Sequence, residues 1–252
     1  MSSFSRPLYL AYAVLAYLSF LLASAWAVGF LAGRGAPTSV DGPAVHPAWA
    51  ALAIDGALLL AFAAQHTVMA RAGFKKLLPP PAERGTFVLA ASLFLAAIFF
   101  WWQPVPALIW HLGAPGSAVV WAVYAIGWVI VVASTYMVDH ADFLGLKQAY
   151  RHLRGDSYRE PAFQARWMYA YCRHPMMLGL LLTFWATPRM SVGHLFFAVA
   201  STGYIAVGIR FEERDLRTRY PAEYQEYARR VPALLPRPGR ARPPASVSTS
   251  GR

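Results

Sequence analysis

The sequence predicts an all-α integral membrane protein with about five to six transmembrane helices. Of its 252 residues, 57% are hydrophobic and only 14% are charged, whereas about 25% of the residues in an average soluble domain are charged. A membrane-spanning helix needs roughly 20 mostly apolar residues, and four segments meet this requirement, at about residues 8–32, 48–70, 86–102 and 118–138. The single cysteine, Cys172, excludes a disulfide framework.

The chain after Pro175 predicts a helical hairpin with arms of unequal length. Residues 176–187 form an apolar run of only 12 residues, which is short for a bilayer span. Pro188 interrupts this run, and residues 191–210 then supply an apolar helix of full length. We therefore expect the last two helices to form a hairpin that encloses a pocket.

The distribution of lysine and arginine predicts the orientation of the chain, because cytoplasmic loops carry an excess of both. If the N-terminus is cytoplasmic and the hairpin returns, 21 of the 23 lysines and arginines lie on the cytoplasmic side, and Arg34 and Arg189 are the exceptions. Both termini are therefore predicted to be cytoplasmic. Contact with anionic lipid headgroups then accounts for the net charge of +11, so nucleic acid is not expected as a partner.

Polar side chains from four separate segments are predicted to converge at the cytoplasmic end of the helices. They lie at the end of the second span, after the fourth span, and at both ends of the hairpin: His66; Asp139, His140 and Asp142; Arg173 and His174; Glu212 and Glu213. Ionisable groups clustered near a bilayer are a functional-site hypothesis by default. The simpler alternative is that they are helix ends at the headgroup level, where charges are well solvated.

The start of the hairpin is suited to an anionic group. Pro175 is pre-organised for the first position of a helix, and the N-terminus of that helix carries a partial positive charge. Arg173 adds a guanidinium that matches a carboxylate, and Gly179 allows close backbone approach. A ligand with a carboxylate, an ammonium and a further positive centre would satisfy both this end and the glutamate pair, and S-adenosylmethionine has all three.

The ordered motifs resemble those of a known group of membrane enzymes. The RHP motif with a glycine four residues beyond the proline, the hairpin, the EERDL motif and a Tyr-rich segment ending in VPALLP resemble the isoprenylcysteine carboxyl methyltransferase and phospholipid methyltransferase group. Upstream, AQHTVMAR, DHADFLGL, LRGDSYREPAF and FWATPRMSVGHLFFAVA resemble its NnrU-like branch. Over nearly the whole chain the sequence is most similar to the bacterial methanethiol S-methyltransferase family.

This resemblance implies S-adenosylmethionine-dependent methylation of a small thiol, from methanethiol to dimethyl sulfide, in the bacterial inner membrane. It implies a single transmembrane methyltransferase domain at residues 1–236, and the Pro-, Ser- and Arg-rich residues 237–252 are predicted to be a disordered tail. No metal is expected. The cofactor cradle facing the cytoplasm would consist of Arg173, His174, Pro175, Gly179, Glu212 and Glu213, with Tyr171 and Trp185 as aromatic walls that attract a sulfonium.

The implied reaction needs a thiolate, because the thiolate is the nucleophile and a simple alkyl thiol is a weaker acid than cysteine, whose pKa is about 8.5. His140, flanked by Asp139 and Asp142, is the first candidate for the base, since carboxylates can orient an imidazole and make it more basic. His66 is the second candidate. The thiolate would then displace the methyl group in line.

Three alternatives remain at this point. Met177 stands where the lipid and prenyl enzymes usually carry tyrosine, but a lipid or prenylcysteine substrate is still an alternative. The NnrU-like resemblance also permits a haem-binding membrane protein or a related isomerase, with His66 and His140 as axial ligands. The third alternative is a non-catalytic membrane protein. No sequence feature predicts the oligomeric state.

Overall fold

The computed structural model describes residues 5–158 and 166–235. The predicted tail at residues 237–252 and part of the LRGDSYREPAF segment lie outside this range. The elements, in chain order, are α1 (Ser5–Ala32), α2 (Ala48–Ala70), α3 (Ala72–Lys75), α4 (Pro80–Trp101), β1 (Leu108–His111), α5 (Gly116–Met137), α6 (His140–Phe143), α7 (Leu146–Arg154), a 3₁₀ helix (Trp167–Ala170), α8 (Pro175–Trp185), β2 (Arg189–Ser191), α9 (Val192–Arg219) and α10 (Pro221–Arg230).

Five helices in the described ranges are long and apolar enough to cross a membrane: α1, α2, α4, α5 and α9. This confirms the predicted class and the four upstream spans. The third span begins at Pro80 rather than at residue 86, because consecutive prolines supply the first positions of a helix without losing a hydrogen bond. Helix α9 continues beyond Arg210 to Arg219, so its last turns carry the EERDL motif on a rigid helix.

The hairpin formed by α8 and α9 brings the chain back to the side on which it started. Helix α8 has 11 residues, about 16 Å, roughly half the thickness of the hydrocarbon core. The rest of the crossing is made by extended chain that ends in β2. Strand β2 pairs antiparallel with β1, with Leu108 opposite Ser191 and Trp110 opposite Met190.

Because β1 lies in the connection between α4 and α5, the turn of the hairpin lies on the same side as that connection. We call this the far side, and we call the side with Pro175 and Arg219 the site side. The beginning of α1 and the end of α9 both lie on the site side. Strands this short carry no clear sequence signal, and β1 and β2 were not predicted.

The hydrophobic core lies mainly between α1, α4 and α9, toward the far side. Phe30 and Phe99 are fully buried and their ring centroids are 4.8 Å apart. Trp102 and Phe197 contact Phe30 edge to face, which is a preferred geometry for aromatic pairs. This cluster keeps the far side closely packed.

Two glycines allow α5 and α8 to pack at close range. A Cβ atom on Gly179 would lie 2.7 Å from the carbonyl oxygen of Gly127 and 3.0 Å from the backbone nitrogen of Val131. A Cβ atom on Gly127 would lie 2.9 Å from the carbonyl oxygen of Gly179. Small residues at such crossings let backbones approach in membrane helices. The contact also sets an antiparallel register, with Val131 opposite Gly179.

We expect Gly179→Ala to destabilise the protein, because the new methyl group would meet backbone atoms that cannot rotate away. Overpacking of this kind costs about 1–3 kcal/mol, and thermal unfolding in detergent should show a clear fall in Tm. Gly203→Ala is the matched control, since a Cβ there meets nothing within 4 Å and alanine is the better helix former. Equal melting temperatures for both variants would contradict the packing role of Gly179.

Candidate functional site

A buried ion pair between Arg173 and Glu213 joins the beginning of α8 to the end of α9. Nε and Nη2 of Arg173 donate to Oε1 of Glu213 at 2.9 and 2.6 Å, and the two side chains are only 12% and 9% exposed. Nη1 of Arg173 donates to the carbonyl oxygens of Ala228 and Val231 at 2.8 and 2.7 Å. The guanidinium is therefore engaged by protein acceptors, and the expectation that it binds the carboxylate of a ligand is wrong for this arrangement.

The segment after α10 holds this pair from below. The backbone nitrogens of Arg173 and His174 donate to the carbonyl oxygens of Pro232 and Ala233 at 3.0 and 3.1 Å. The side chains of Tyr224, Tyr227 and Val231 form a buried cluster beside it, and burial raises the pKa of Tyr224 to about 12. These contacts fix the backbone of the RHP motif.

His174 lies between the two glutamates. Its Nε2 is 3.2 Å from Oε1 of Glu213 and its Nδ1 is 3.4 Å from Oε2 of Glu212. Burial by itself lowers the pKa of His174, but the hydrogen bonds and charges of Glu212 and Glu213 outweigh burial, so the pKa is raised above its usual value of 6.5. Only an imidazolium can donate from both ring nitrogens, so this geometry favours the protonated form.

The two adjacent glutamates have different surroundings, as their angular separation of about 100° on a helix requires. Glu213 is buried, and its Oε2 also accepts from Nη2 of Arg217 at 2.7 Å. Glu212 is 52% exposed at its side chain. Glu213 is thus committed to the ion-pair network, whereas Glu212 presents a carboxylate outward.

The other hairpin residues divide into two groups. Pro175 is buried at the beginning of α8, and Tyr171, just before it, is 53% exposed. Gly179 and Trp185, by contrast, do not belong to the cluster. The close approach at Gly179 is to α5, and Trp185 lies about 15 Å along α8 from Pro175, where its Nε1 donates to Thr202.

The ring of His140 is held by hydroxyl groups and not by carboxylates. Its Nδ1 is 2.8 Å from Oγ1 of Thr135, its Nε2 is 3.2 Å from the hydroxyl of Tyr17, and it stacks on Tyr136 with centroids 4.5 Å apart. The expected pairing with Asp139 and Asp142 is therefore not formed. The ring is nevertheless well oriented.

The two aspartates have other partners. Asp139 caps α6 by accepting from the backbone nitrogen of Asp142 and pairs with Lys147, whose hydrogen bond lowers the pKa of Asp139. Oδ2 of Asp142 accepts from the hydroxyl of Tyr158 at 3.0 Å. Asp139 has a φ of 80°, and this unusual backbone conformation turns its side chain along α6.

The register of α5 and α8 brings His140 to the same end of the bundle as His174. Val131 lies against Gly179 and Gly127 lies against Thr183, so one further helical turn places Thr135 level with Pro175. Thr135 is the residue that binds the ring of His140. The predicted convergence of these two segments is thus present.

His66 lies apart from the ion-pair network. Its ring contacts Phe62, Phe87 and Tyr204 at centroid distances of 5.3, 4.6 and 6.3 Å. Tyr204 and Glu213 are nine residues apart on α9, a rotation of about 180°, so α9 separates His66 from the cluster. His66 and His140 belong to different packing clusters, and nothing in the described ranges favours them as a pair of haem ligands.

Sequence reasoning missed the neighbours that hold these groups in place. Thr135 and Tyr17 orient His140, and Tyr227 donates its hydroxyl hydrogen to the carbonyl oxygen of Tyr169 at 2.6 Å. The Tyr-rich segment that follows EERDL was the available signal for the second contact. Thr135 and Tyr17 gave no signal, since they are ordinary residues of apolar helices.

Comparisons with known proteins agree with the motifs. The chain is 43% identical over 240 residues to the methanethiol S-methyltransferase of Mycobacterium tuberculosis, which covers 93% of this chain and 98% of that protein. It is 42% identical over 238 residues to methanethiol S-methyltransferase 2 of Bradyrhizobium diazoefficiens, covering 93% of this chain and 92% of that protein. A Nurim homolog of Drosophila melanogaster is 28% identical over 231 residues, 86% of this chain and 88% of that protein.

No family model matches the chain, and no solved structure matches it. The identity to the bacterial enzymes extends across all five spanning helices, the RHP motif and the EERDL motif, because it covers 93% of the chain. We conclude that this chain belongs to the methanethiol S-methyltransferase family.

Proposed function

We propose that this protein transfers a methyl group from S-adenosylmethionine to methanethiol and releases dimethyl sulfide. The observation that carries this proposal is the 43% identity to a methanethiol S-methyltransferase over 93% of the chain. The buried network of Arg173, His174 and Glu213 supports it, because the network joins two sequence motifs that are 40 residues apart. Incubation with labelled S-adenosylmethionine and a panel of thiols, with headspace detection of the product, tests it directly.

We further propose that the site side faces the cytoplasm of a bacterium, with both termini on that side of the inner membrane. Of the 23 lysines and arginines, 21 lie in segments on the site side or beyond the end of α9, as the distribution of positive charge in membrane proteins requires. The cytoplasm is also where a soluble methyl donor is available to the site.

The exposed groups of the cluster fit S-adenosylmethionine, which supplies a methyl group bound to a sulfonium. The carboxylate of Glu212 is half exposed and can accept hydrogen bonds from an ammonium. The ring of Tyr171 is exposed beside it in sequence order before Arg173, and aromatic faces attract sulfonium and other cations. In this proposal Glu212 and Tyr171 contact the cofactor, whereas Arg173 and Glu213 position them.

The acceptor thiol has to lose its proton before or during attack, and we propose that a histidine assists this step. Two histidines near the site-side end are candidates, His140 and His66. Both ring nitrogens of His140 already lie within hydrogen-bond distance of hydroxyl groups. Positioning the donor and the acceptor in line supplies the remaining acceleration.

We expect Arg173→Ala to weaken binding of S-adenosylmethionine by roughly tenfold or more, about 1.4 kcal/mol. The substitution leaves Glu213 buried with reduced compensation, which distorts the carboxylate pair. Arg173→Lys should give a similar loss, because an ammonium cannot donate to Glu213 and two carbonyl oxygens in the same geometry. Calorimetric titration of the full-length protein in detergent measures this.

Arg214→Ala is the control for the loss of one positive charge near Glu213, since Arg214 is exposed. An unchanged affinity in Arg173→Ala would remove the network from the cofactor site.

Glu212→Gln and Glu213→Gln should separate a contact residue from a positioning residue. We expect Glu212→Gln to reduce the affinity for S-adenosylmethionine with little change in Tm, because its side chain is half exposed. Glu213→Gln should reduce both, because it removes the buried partner of Arg173. Calorimetry and thermal unfolding of the same preparations give the two readouts, and a large fall in Tm for Glu212→Gln would count against its assignment.

The raised pKa of His174 predicts a pH-dependent stability. The folded state binds this proton more tightly than the unfolded chain does, so the stabilisation is complete below the ordinary value of 6.5 and is lost as the pH rises through the raised pKa. We therefore expect the Tm of the wild type to fall above about pH 6.5, and that of His174→Gln to depend less on pH. His111→Gln, at an exposed far-side histidine, should retain the wild-type profile.

A further inference from the structure

A small cavity lies at the site-side end of α2 and α4. It has a volume of about 80 Å³, and Met69, Ala70 and Phe87 line its apolar part. We propose that this cavity binds the acceptor thiol and that His66, at its inner end, accepts the thiol proton. This inference rests on the proposed thiol methyltransferase activity and gives that activity a substrate site.

The position of His66 follows from helix geometry. Met69 and Ala70 are three and four residues after His66, so all three lie on one face of α2, with His66 about one turn deeper. The ring of His66 also contacts Phe87 at a centroid distance of 4.6 Å, and Phe87 lines the cavity from α4. The imidazole thus stands between the cavity and the interior of the bundle.

The Nδ1 atom of His66 is buried and has no hydrogen-bond partner among residues 5–158 and 166–235. Buried polar atoms in proteins are nearly always hydrogen-bonded, so an unpartnered nitrogen beside a cavity points to a ligand that donates a hydrogen bond. A thiol S–H is such a donor. The ring nitrogens of His140, in contrast, already face Thr135 and Tyr17.

The lining fits a small sulfur compound. The cavity accommodates only a few non-hydrogen atoms at about 30 Å³ for each water-sized group, and methanethiol has two. Gln65 Nε2 donates to Sδ of Met69 at 3.0 Å, which holds the thioether in place. Sulfur atoms and aromatic rings make favourable contacts with sulfur ligands, and Met69 and Phe87 supply both.

The mouth of the cavity carries charge that suits a thiolate. Lys75 and Glu83 line it and form an ion pair at 3.6 Å, and Arg84 lines it as well. Two cations and one carboxylate leave a net positive charge, which favours the ionised form of a thiol.

The cavity lies next to the part of α9 that carries the glutamates. The guanidinium of Arg71, just after α2, lies over the ring of Phe211 at 4.6 Å, and Oγ1 of Thr67 is 3.5 Å from the hydroxyl of Tyr204. Glu212 directly follows Phe211. The proposed thiol site and the proposed cofactor carboxylate therefore occupy adjoining faces of one helix end.

The step that this arrangement supports is balanced as follows. The thiol S–H bond breaks and its proton goes to Nδ1 of His66. The thiol sulfur forms a bond to the methyl carbon, and the bond from that carbon to the sulfonium breaks with its electron pair retained by the departing sulfur, which becomes a neutral thioether. His66 then returns the proton to solvent.

Cavity-size variants of the full-length protein test the site. We expect Ala70→Phe to raise the KM for methanethiol at least tenfold, and Phe87→Ala to raise the ratio of kcat/KM for 1-butanethiol over methanethiol at least tenfold. The Kd for S-adenosylmethionine, measured by calorimetry, should stay within twofold in both. Val68→Phe is the matched control, since Val68 is 55% exposed and lies about 200° from His66 on α2.

His66→Gln tests the proton acceptor through its pH profile. We expect the wild-type kcat/KM to rise with pH and level off once His66 is neutral, whereas the variant should be slower and should keep rising toward ionisation of the free thiol, above about 8.5. A readout without turnover is modification of His66 by diethyl pyrocarbonate, followed by peptide mass spectrometry. Dimethyl sulfide should protect His66 in the wild type and not in Ala70→Phe.

The outcomes separate this inference from the proposed function. If the wild type binds S-adenosylmethionine but methylates no thiol in the panel, the proposed function fails. If the wild type methylates methanethiol while Ala70→Phe and Phe87→Ala behave like Val68→Phe, only the cavity assignment is overturned. Equal pH profiles for the wild type and His66→Gln would overturn the assignment of the base.

Discussion

The buried ion pair between Arg173 and Glu213 is the contact on which the site side of this protein depends. The pair is nearly inaccessible to solvent, and breaking one side of such a pair is costly because the other charge remains buried. Since Arg173 also donates to two carbonyl oxygens near the end of α10, one guanidinium connects the hairpin to the C-terminal segment. The motifs RHP, EERDL and VPALLP are therefore parts of one structural unit.

This ion pair also determines which groups are left for a ligand. Glu213 accepts from Arg173, Arg217 and His174, so little of its carboxylate is available, and His174 is enclosed by both glutamates. The outward carboxylate of Glu212 and the exposed ring of Tyr171 remain. A site of this kind orients a few contact residues by committing the more strongly charged residues to the protein itself.

Helix α9 separates two chemically different environments. One face carries Glu213 and the charged network, and the opposite face carries Tyr204 and the aromatic neighbours of His66. The two histidines first considered as bases differ for the same reason. His140 is held by hydroxyl groups at the end of α5, whereas His66 has a free buried nitrogen beside a small apolar cavity. A polar donor and an apolar acceptor could thus approach one helix end from different sides.

The sequence by itself determined the membrane class, the spanning helices, the unequal hairpin and the family, because hydropathy, proline positions and motif order are local properties of the chain. Only the tertiary structure decided the partner of each polar side chain. Gly179 meets α5 because of helix packing, Trp185 lies at the wrong end of α8, and His140 meets Tyr17, 123 residues away. Such partners depend on the rotational phase and register of packed helices, which short-range sequence patterns do not encode.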